Sequence, residues 1–105
     1  MATADLSVLV LGRAQVGTSD YIAEIQRRLQ RQDRVRFRMH AMGTLLEGTM
    51  EDILSVVAEL HAVPFDHGAP RVYTVLKLDE RHDRPDQTLD DKLRSVEDRL
   101  GGGDI

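Results

Sequence analysis

Alternating apolar residues near the start of the chain predict a β-strand over 5–11. Leu6, Val8 and Val10 share one face of this segment, and Gly12 ends it. The other face is also largely apolar, which indicates a central strand covered on both sides.

Three helices are predicted from apolar residues at helical spacing. The first runs from the capping residues at 18–20 to about Gln32, the second begins after Thr49, and the third begins after Thr88. Both threonines are followed three residues later by an aspartate, which is typical of a capping box. Pro64 is expected to kink or end the second helix, because its ring blocks a backbone hydrogen bond.

Further strands are predicted over 35–41, 44–48 and 71–78, with Gly43 breaking the first two into a hairpin. The element order is therefore β-α-β-β-α-β with an additional C-terminal helix. Right-handed crossovers then place two helices on one face of a four-stranded antiparallel sheet, which is the ferredoxin-like α+β sandwich. The same patterns predict a core that includes Val8, Phe37, Ile53, Val57, Leu60, Leu93 and Val96.

Composition narrows the class of protein. A chain of 105 residues is one domain, which we expect over 1–101 with a flexible tail over 102–105. The net charge of −4 argues against a generic polyanion binder. The absence of cysteine excludes disulfides and thiolate chemistry. No segment has the length of a membrane span or signal core, so we expect a cytoplasmic protein.

Three familiar functions are disfavoured by the residues themselves. The expected strands 5–11 and 44–48 lack the aromatic residues on which RNA-recognition modules stack bases. Loop 12–17 looks like the start of the acylphosphatase phosphate loop, but 18–20 has no arginine and the chain has no asparagine. The four histidines form no pair at metal-binding spacing. We therefore expect no catalytic residue, no metal and no nucleic-acid partner.

Several short motifs follow one another along the chain: Ser7-Val8, Ser19 with Tyr21, Met42–Gly48, His61, Arg71–Thr74, Lys77–Asp79 and Thr88–Glu97. In this order and spacing, the chain from 5 to 100 resembles the YkoF-like or MTH1187-like family of thiamine-binding proteins. Val10 and Arg13-Ala14 depart from the proline and Thr-Gly that the family often has there. The resemblance implies non-catalytic binding of thiamine or its hydroxymethylpyrimidine part, no cofactor, and homo-oligomers, usually tetramers.

The expected ligand-binding residues are Glu47, Thr44, Ser7, Met42 and Ser19. An aminopyrimidine has ring nitrogens that accept hydrogen bonds and an amine that donates them, so it suits a carboxylate, hydroxyls and an apolar slot. Glu47 is the expected polar anchor. A turn at Met42-Gly43 would also place Arg38 opposite Glu47, so an ion pair is an equally good interpretation. For Ser19, helix capping is the alternative.

Two classes of function remain open. One is a small-molecule binding module of the thiamine type. The other is a structural or regulatory oligomer that senses another small metabolite through its open sheet face. Leu9, Leu11 and Leu45 on that face, together with the apolar stripe from Leu89 to Leu100, predict a homo-oligomer that covers these surfaces.

Overall fold

The fold is a four-stranded sheet with three helices in the part of the chain that the computed structural model describes, residues 1–12 and 18–101. The predicted α+β order, with its additional C-terminal helix, is confirmed. The predicted tail over 102–105 lies outside the described residues. The elements are β1 (Ala2–Leu11), α1 (Thr18–Gln30), β2 (Arg36–His40), β3 (Gly43–Gly48), α2 (Met50–Asp66), β4 (Arg71–Glu80) and α3 (Leu89–Arg99).

The sheet has the strand order β2-β3-β1-β4, and all neighbouring strands are antiparallel. β1 is central, as its apolar sequence predicts. It pairs with β4 along its full length, but its register with β3 covers only Ala2–Leu6. The second half of β1 therefore extends past the β2–β3 hairpin, and this offset positions the site described below.

The core lies between α1, α2 and one face of the sheet, which we call the inner face. The predicted core residues Ile53, Val57 and Leu60 are buried, and Val8 and Phe37 are partly buried against the same cluster. Local signals set the ends of α2. The Thr49 hydroxyl accepts a hydrogen bond from the Asp52 amide at 3.1 Å, and Pro64 lies in the last turn before Asp66.

α3 does not join this core. The predicted burial of Leu93 and Val96 is wrong for the single chain, because these side chains are 51% and 47% exposed. No residue of α3 is buried by the described residues. The radius of gyration is 15.6 Å, against about 13 Å for a compact chain of this length. The helix therefore begins on the sheet and extends away from it.

The opposite, outer face of the sheet is also only partly covered. Leu9 and Leu11 of β1 lie on it and are exposed, so the expected coverage of β1 on both sides is wrong within one chain. None of the described helices combines the length and apolar character needed to cross a bilayer.

Candidate functional site

A pocket of about 530 Å³ lies between α1 and the β2–β3 turn, beside the second half of β1. Its walls are mostly apolar. Two other cavities are smaller, about 360 Å³ among polar residues of 84–95 and about 60 Å³ beside Glu47. Small-molecule sites have volumes of roughly 300–1,000 Å³ and a few polar groups on apolar walls, so the pocket beside α1, the largest of these three among the described residues, is the candidate site. Its apolar residues include Leu6, Val8, Ile22, Ile25, Met39 and Met42.

The β2–β3 turn that borders this pocket consists of Ala41 and Met42, because His40 pairs with Gly43. The expected turn at Met42-Gly43 is therefore wrong, because the turn lies one residue earlier in the chain. This shift moves the partner of each β2 residue by two positions along β3. Arg38 lies opposite Leu45 instead of Glu47. The predicted Arg38–Glu47 ion pair is replaced by a contact of Arg36 Nε with Glu47 Oε1 at 3.8 Å.

Close packing against β1 explains why the first residue of β3 is a glycine. A Cβ atom at Gly43 would lie 2.6 Å from the Leu6 carbonyl oxygen and 3.0 Å from Ser7 Oγ. The first of these is a backbone atom that cannot move aside without shifting β1. A glycine at this position therefore allows β3 to start in contact with β1, next to the pocket.

Gln26 and Thr44 form a polar contact inside the apolar pocket. Gln26 Nε2 on α1 donates a hydrogen bond to Thr44 Oγ1 on β3 at 3.1 Å. Thr44 is buried on the inner face, so this bond satisfies its hydroxyl and links the helix to the strand. The Gln26 amide has a second N–H and a carbonyl oxygen in the same plane. It can therefore donate one further hydrogen bond and accept another on neighbouring atoms.

The β2–β3 turn is held by a chain of hydrogen bonds on the outer side of the pocket. Ser7 Oγ donates to the Met42 carbonyl oxygen at 3.0 Å, and the Met42 amide donates to His40 Nδ1 at 3.2 Å. His40 Nε2 lies 2.8 Å from Asp5 Oδ1. Because Nδ1 accepts, we assign the ring proton to Nε2, which donates it to Asp5. Both ring nitrogens of His40 are therefore engaged in holding the turn.

Glu47 lies apart from the pocket. It points to the outer face, where its Oε2 accepts a hydrogen bond from the Leu89 amide at 3.1 Å. The carboxylate is 8% exposed and satisfies an amide at the start of α3, where a negative charge is favourable. Thr44 and Glu47 are three residues apart in a strand, so their side chains leave on opposite faces.

Of the five residues expected at the ligand, the structure brings Ser7, Met42 and Thr44 together at the pocket. It places Glu47 at the start of α3, and the Ser19 side chain lies outside the part that is described. The expectations missed Gln26 and His40. Gln26 had a readable signal, because a glutamine four residues after Ile22 is a polar residue on the apolar face of α1.

The carboxyl groups with clearly lowered pKa values lie in other places. A hydrogen bond from Arg81 lowers the pKa of Asp83 to about 2, and the Thr88 amide lowers the pKa of Asp91. Among the described residues, no group of three or more histidine, aspartate or glutamate side chains is arranged to hold a metal ion. The pocket therefore offers hydrogen bonds and apolar contact as its means of recognition.

Known proteins match the chain along almost its whole length. The family model described as thiamine-binding protein matches residues 4–97. The UPF0045 protein of the glkA 3′ region of Staphylococcus xylosus is 36% identical over 106 residues, with 98% of each chain covered. The UPF0045 protein of Methanothermobacter thermautotrophicus is 37% identical over 101 residues, which cover 95% of this chain and 100% of that one.

The fold has a close relative among solved structures. The crystal structure of the hypothetical protein MJ1052 from Methanocaldococcus jannaschii superposes with a TM-score of 0.76 at 34% sequence identity. The match covers 90% of this chain and 94% of that one. Sequence and structure agree over the same elements, and the chain belongs to the thiamine-binding protein family.

Proposed function

We propose that this chain binds thiamine, or its hydroxymethylpyrimidine part, in the pocket between α1 and the β2–β3 turn, and releases it chemically unchanged. The observation that carries the proposal is the Gln26 amide, held by Thr44 inside a mostly apolar pocket of about 530 Å³. Membership of the thiamine-binding family supports the ligand class.

The aminopyrimidine ring matches the Gln26 amide group by group. Its exocyclic amine donates to the amide oxygen, while the neighbouring ring nitrogen accepts from the second amide N–H. Thr44 Oγ1 holds the amide at 3.1 Å and so fixes its plane before the ligand arrives. Val8, Ile22 and Ile25 line the same pocket and provide apolar contact for the faces of the ring.

The arrangement of the polar residues supports binding without catalysis. A nucleophilic serine needs a base within hydrogen-bond reach, but the Ser7 hydroxyl donates to the Met42 carbonyl oxygen. His40 is engaged at both ring nitrogens, by Asp5 and by the Met42 amide. In this geometry both side chains stabilise the turn, and the remaining polar groups recognise the ligand.

Isothermal titration calorimetry tests the proposal with thiamine, free hydroxymethylpyrimidine and thiamine diphosphate. We expect one site per chain, with thiamine and hydroxymethylpyrimidine both bound. The matched control ligand is the same pyrimidine without its exocyclic amine, which we expect to bind about tenfold or more weakly because Gln26 then loses a partner. Absence of binding by all three compounds would reject the proposal and favour a regulatory oligomer that senses another metabolite.

A further inference from the structure

Tyr21 is a buried tyrosine near the start of α1, with only 3% of its surface exposed. Its side chain belongs to the core cluster together with Ile25 and Leu29, which follow it at helical spacing on the same side of α1. Buried tyrosines usually give their hydroxyl group a hydrogen-bond partner, because a polar group removed from water without one is costly. The ring of Tyr21 thus serves the core, whereas the role of its hydroxyl has to be sought at the pocket.

The Tyr21 hydroxyl has no partner within the part of the chain that the structure describes. No hydrogen bond joins the Tyr21 side chain to another described residue. Every side-chain nitrogen or oxygen atom that the described residues seal from solvent does have a partner. The hydroxyl is therefore not sealed, and Tyr21 is one of the residues that line the pocket beside α1. The structure thus presents this hydroxyl to a molecule inside the pocket.

The other described pocket side chains with hydroxyl or imidazole groups are already engaged. Ser7, His40 and Thr44 each form a hydrogen bond to another part of the protein. Gln26 is engaged through one N–H and keeps a second N–H and its carbonyl oxygen. Among the described residues, Tyr21 therefore carries the one pocket hydroxyl that the fold leaves entirely to a ligand.

Tyr21 and Gln26 stand at the two ends of an apolar surface on α1. They are five residues apart in the helix, which corresponds to about 7.5 Å along its axis. Between them lie Ile22 and Ile25, which also line the pocket. A flat ring in contact with these isoleucines therefore meets polar groups at two separate edges, Gln26 at one and Tyr21 at the other.

We propose that the Tyr21 hydroxyl donates a hydrogen bond to the ring nitrogen of the aminopyrimidine that lies across the ring from its exocyclic amine. This role rests on the proposed function, in which Gln26 binds the amine and the ring nitrogen beside it. The second ring nitrogen then points away from Gln26, and an aromatic nitrogen of this kind can only accept a hydrogen bond. A phenol O–H is a suitable donor, so Tyr21 is a specificity-determining residue.

Recognition at two edges distinguishes a pyrimidine from a related pyridine. A pyridine with the same amine keeps the groups that bind Gln26, but it has a C–H in place of the second ring nitrogen. Tyr21 then faces an apolar edge and its hydroxyl stays unpaired, which weakens binding of the pyridine relative to the pyrimidine. The two residues together therefore select for both ring nitrogens in addition to the amine.

Urea denaturation of the ligand-free protein tests whether the fold uses the Tyr21 hydroxyl. Tyr21→Phe keeps the ring in the core and removes only the hydroxyl group. We expect its urea midpoint to equal or exceed that of the wild type, because no hydrogen bond within the described residues is lost. The matched control is Tyr73→Phe, since Tyr73 is 52% exposed on the outer face of the sheet and lies away from the pocket.

Calorimetric titration of the wild type and both variants tests the contact itself. The two ligands are hydroxymethylpyrimidine and its pyridine analogue, in which the ring nitrogen across from the amine is replaced by C–H. We expect Tyr21→Phe to bind the pyrimidine about tenfold more weakly, and Tyr73→Phe to bind it as the wild type does. The wild type should bind the pyridine about tenfold more weakly as well. Tyr21→Phe should show no further loss with the pyridine, because both changes remove the same hydrogen bond.

Three results would overturn this role of Tyr21. They are equal affinities of the wild type and Tyr21→Phe for the pyrimidine, independent losses that add up when the variant meets the pyridine, and a urea midpoint of Tyr21→Phe clearly below that of Tyr73→Phe. Binding of the pyrimidine by the wild type and Tyr21→Phe alike would reject this role alone. A wild type that binds neither compound would reject the proposed function, and this role of Tyr21 with it.

Discussion

The amide nitrogen of Gln26 donates a hydrogen bond to the Thr44 hydroxyl at 3.1 Å, and this bond joins α1 to β3 within the pocket. A buried threonine and a helix glutamine satisfy each other, so neither is left without a partner in an apolar setting. The same bond positions the amide group at the wall of the pocket. Under the proposed function, Gln26 is therefore the residue on which specificity for an aminopyrimidine is expected to depend.

Replacement of Gln26 by leucine should weaken binding of hydroxymethylpyrimidine by about tenfold to a hundredfold, since the ligand then loses two hydrogen bonds. The matched control is Gln30→Leu, because Gln30 lies on the same helix and is exposed. Calorimetric titration of both variants measures the difference. Equal affinities in the two variants would show that the ligand does not contact Gln26.

Glu47→Gln should affect α3 and leave the ligand site unchanged. The glutamine oxygen can still accept from the Leu89 amide, but the favourable interaction of a negative charge with the helix start is lost. Because α3 buries no residue in the single chain, we expect this loss to reduce the helicity of α3, measured by circular dichroism, with little effect on global unfolding in urea. The affinity for hydroxymethylpyrimidine should stay within about twofold of the wild type. A tenfold loss of affinity would instead show that Glu47 contacts the ligand.

The two threonine caps should differ in their effect on stability. Thr49 caps α2, which belongs to the core, so Thr49→Ala should lower the free energy of unfolding by about 1 kcal/mol. Thr88 caps α3, which buries no residue in the single chain. Thr88→Ala should therefore reduce the helicity of α3 with little effect on global unfolding. Both are measured by urea denaturation, and equal losses would contradict the separation of α3 from the core.

The start of α3 should be sensitive to acid. The Thr88 amide donates to Asp91 Oδ2 at 3.0 Å, and this bond is the main cause of the lowered pKa of Asp91. The pKa of Asp91 is lower in the folded state than its ordinary value of 3.8, so the ionised carboxylate stabilises the folded state at pH values above 3.8. This stabilisation is lost as the pH falls through the lowered pKa. The Thr88 amide signal should report this loss in an NMR titration from about pH 5 to about pH 2. Asp91→Asn, which keeps the acceptor but does not titrate, should remove the Asp91 step from this signal, so identical curves for the two proteins would contradict the prediction.

The element order was predictable because its signals are local. Alternation in β1 and the capping sequences after Thr49 and Thr88 need no information from elsewhere in the chain. Whether Leu93 and Val96 are buried in the single chain was not predictable from such local signals. Helical spacing predicts an apolar face on α3, but it does not show whether the core of the same chain covers that face.

The site was predictable in part. Ser7, Met42 and Thr44 were expected and meet at the pocket. The β2–β3 turn was misplaced by one residue, because the register of β3 depends on its pairing with β1, which is distant in the sequence. Side chains alternate between the two faces of a strand, so Thr44 and Glu47, three residues apart, lie on opposite faces. This separation could have been predicted from their spacing.

The central claim, that an aminopyrimidine occupies this pocket on Gln26, is tested most directly by NMR titration with hydroxymethylpyrimidine. The account predicts that the side-chain amide signals of Gln26 and the methyl signal of Met42 shift together as ligand is added. Both curves should give the same dissociation constant as calorimetry. The Leu89 amide beside Glu47 should not move. Unchanged Gln26 signals at saturating ligand, or shifts centred on Leu89, would contradict the account.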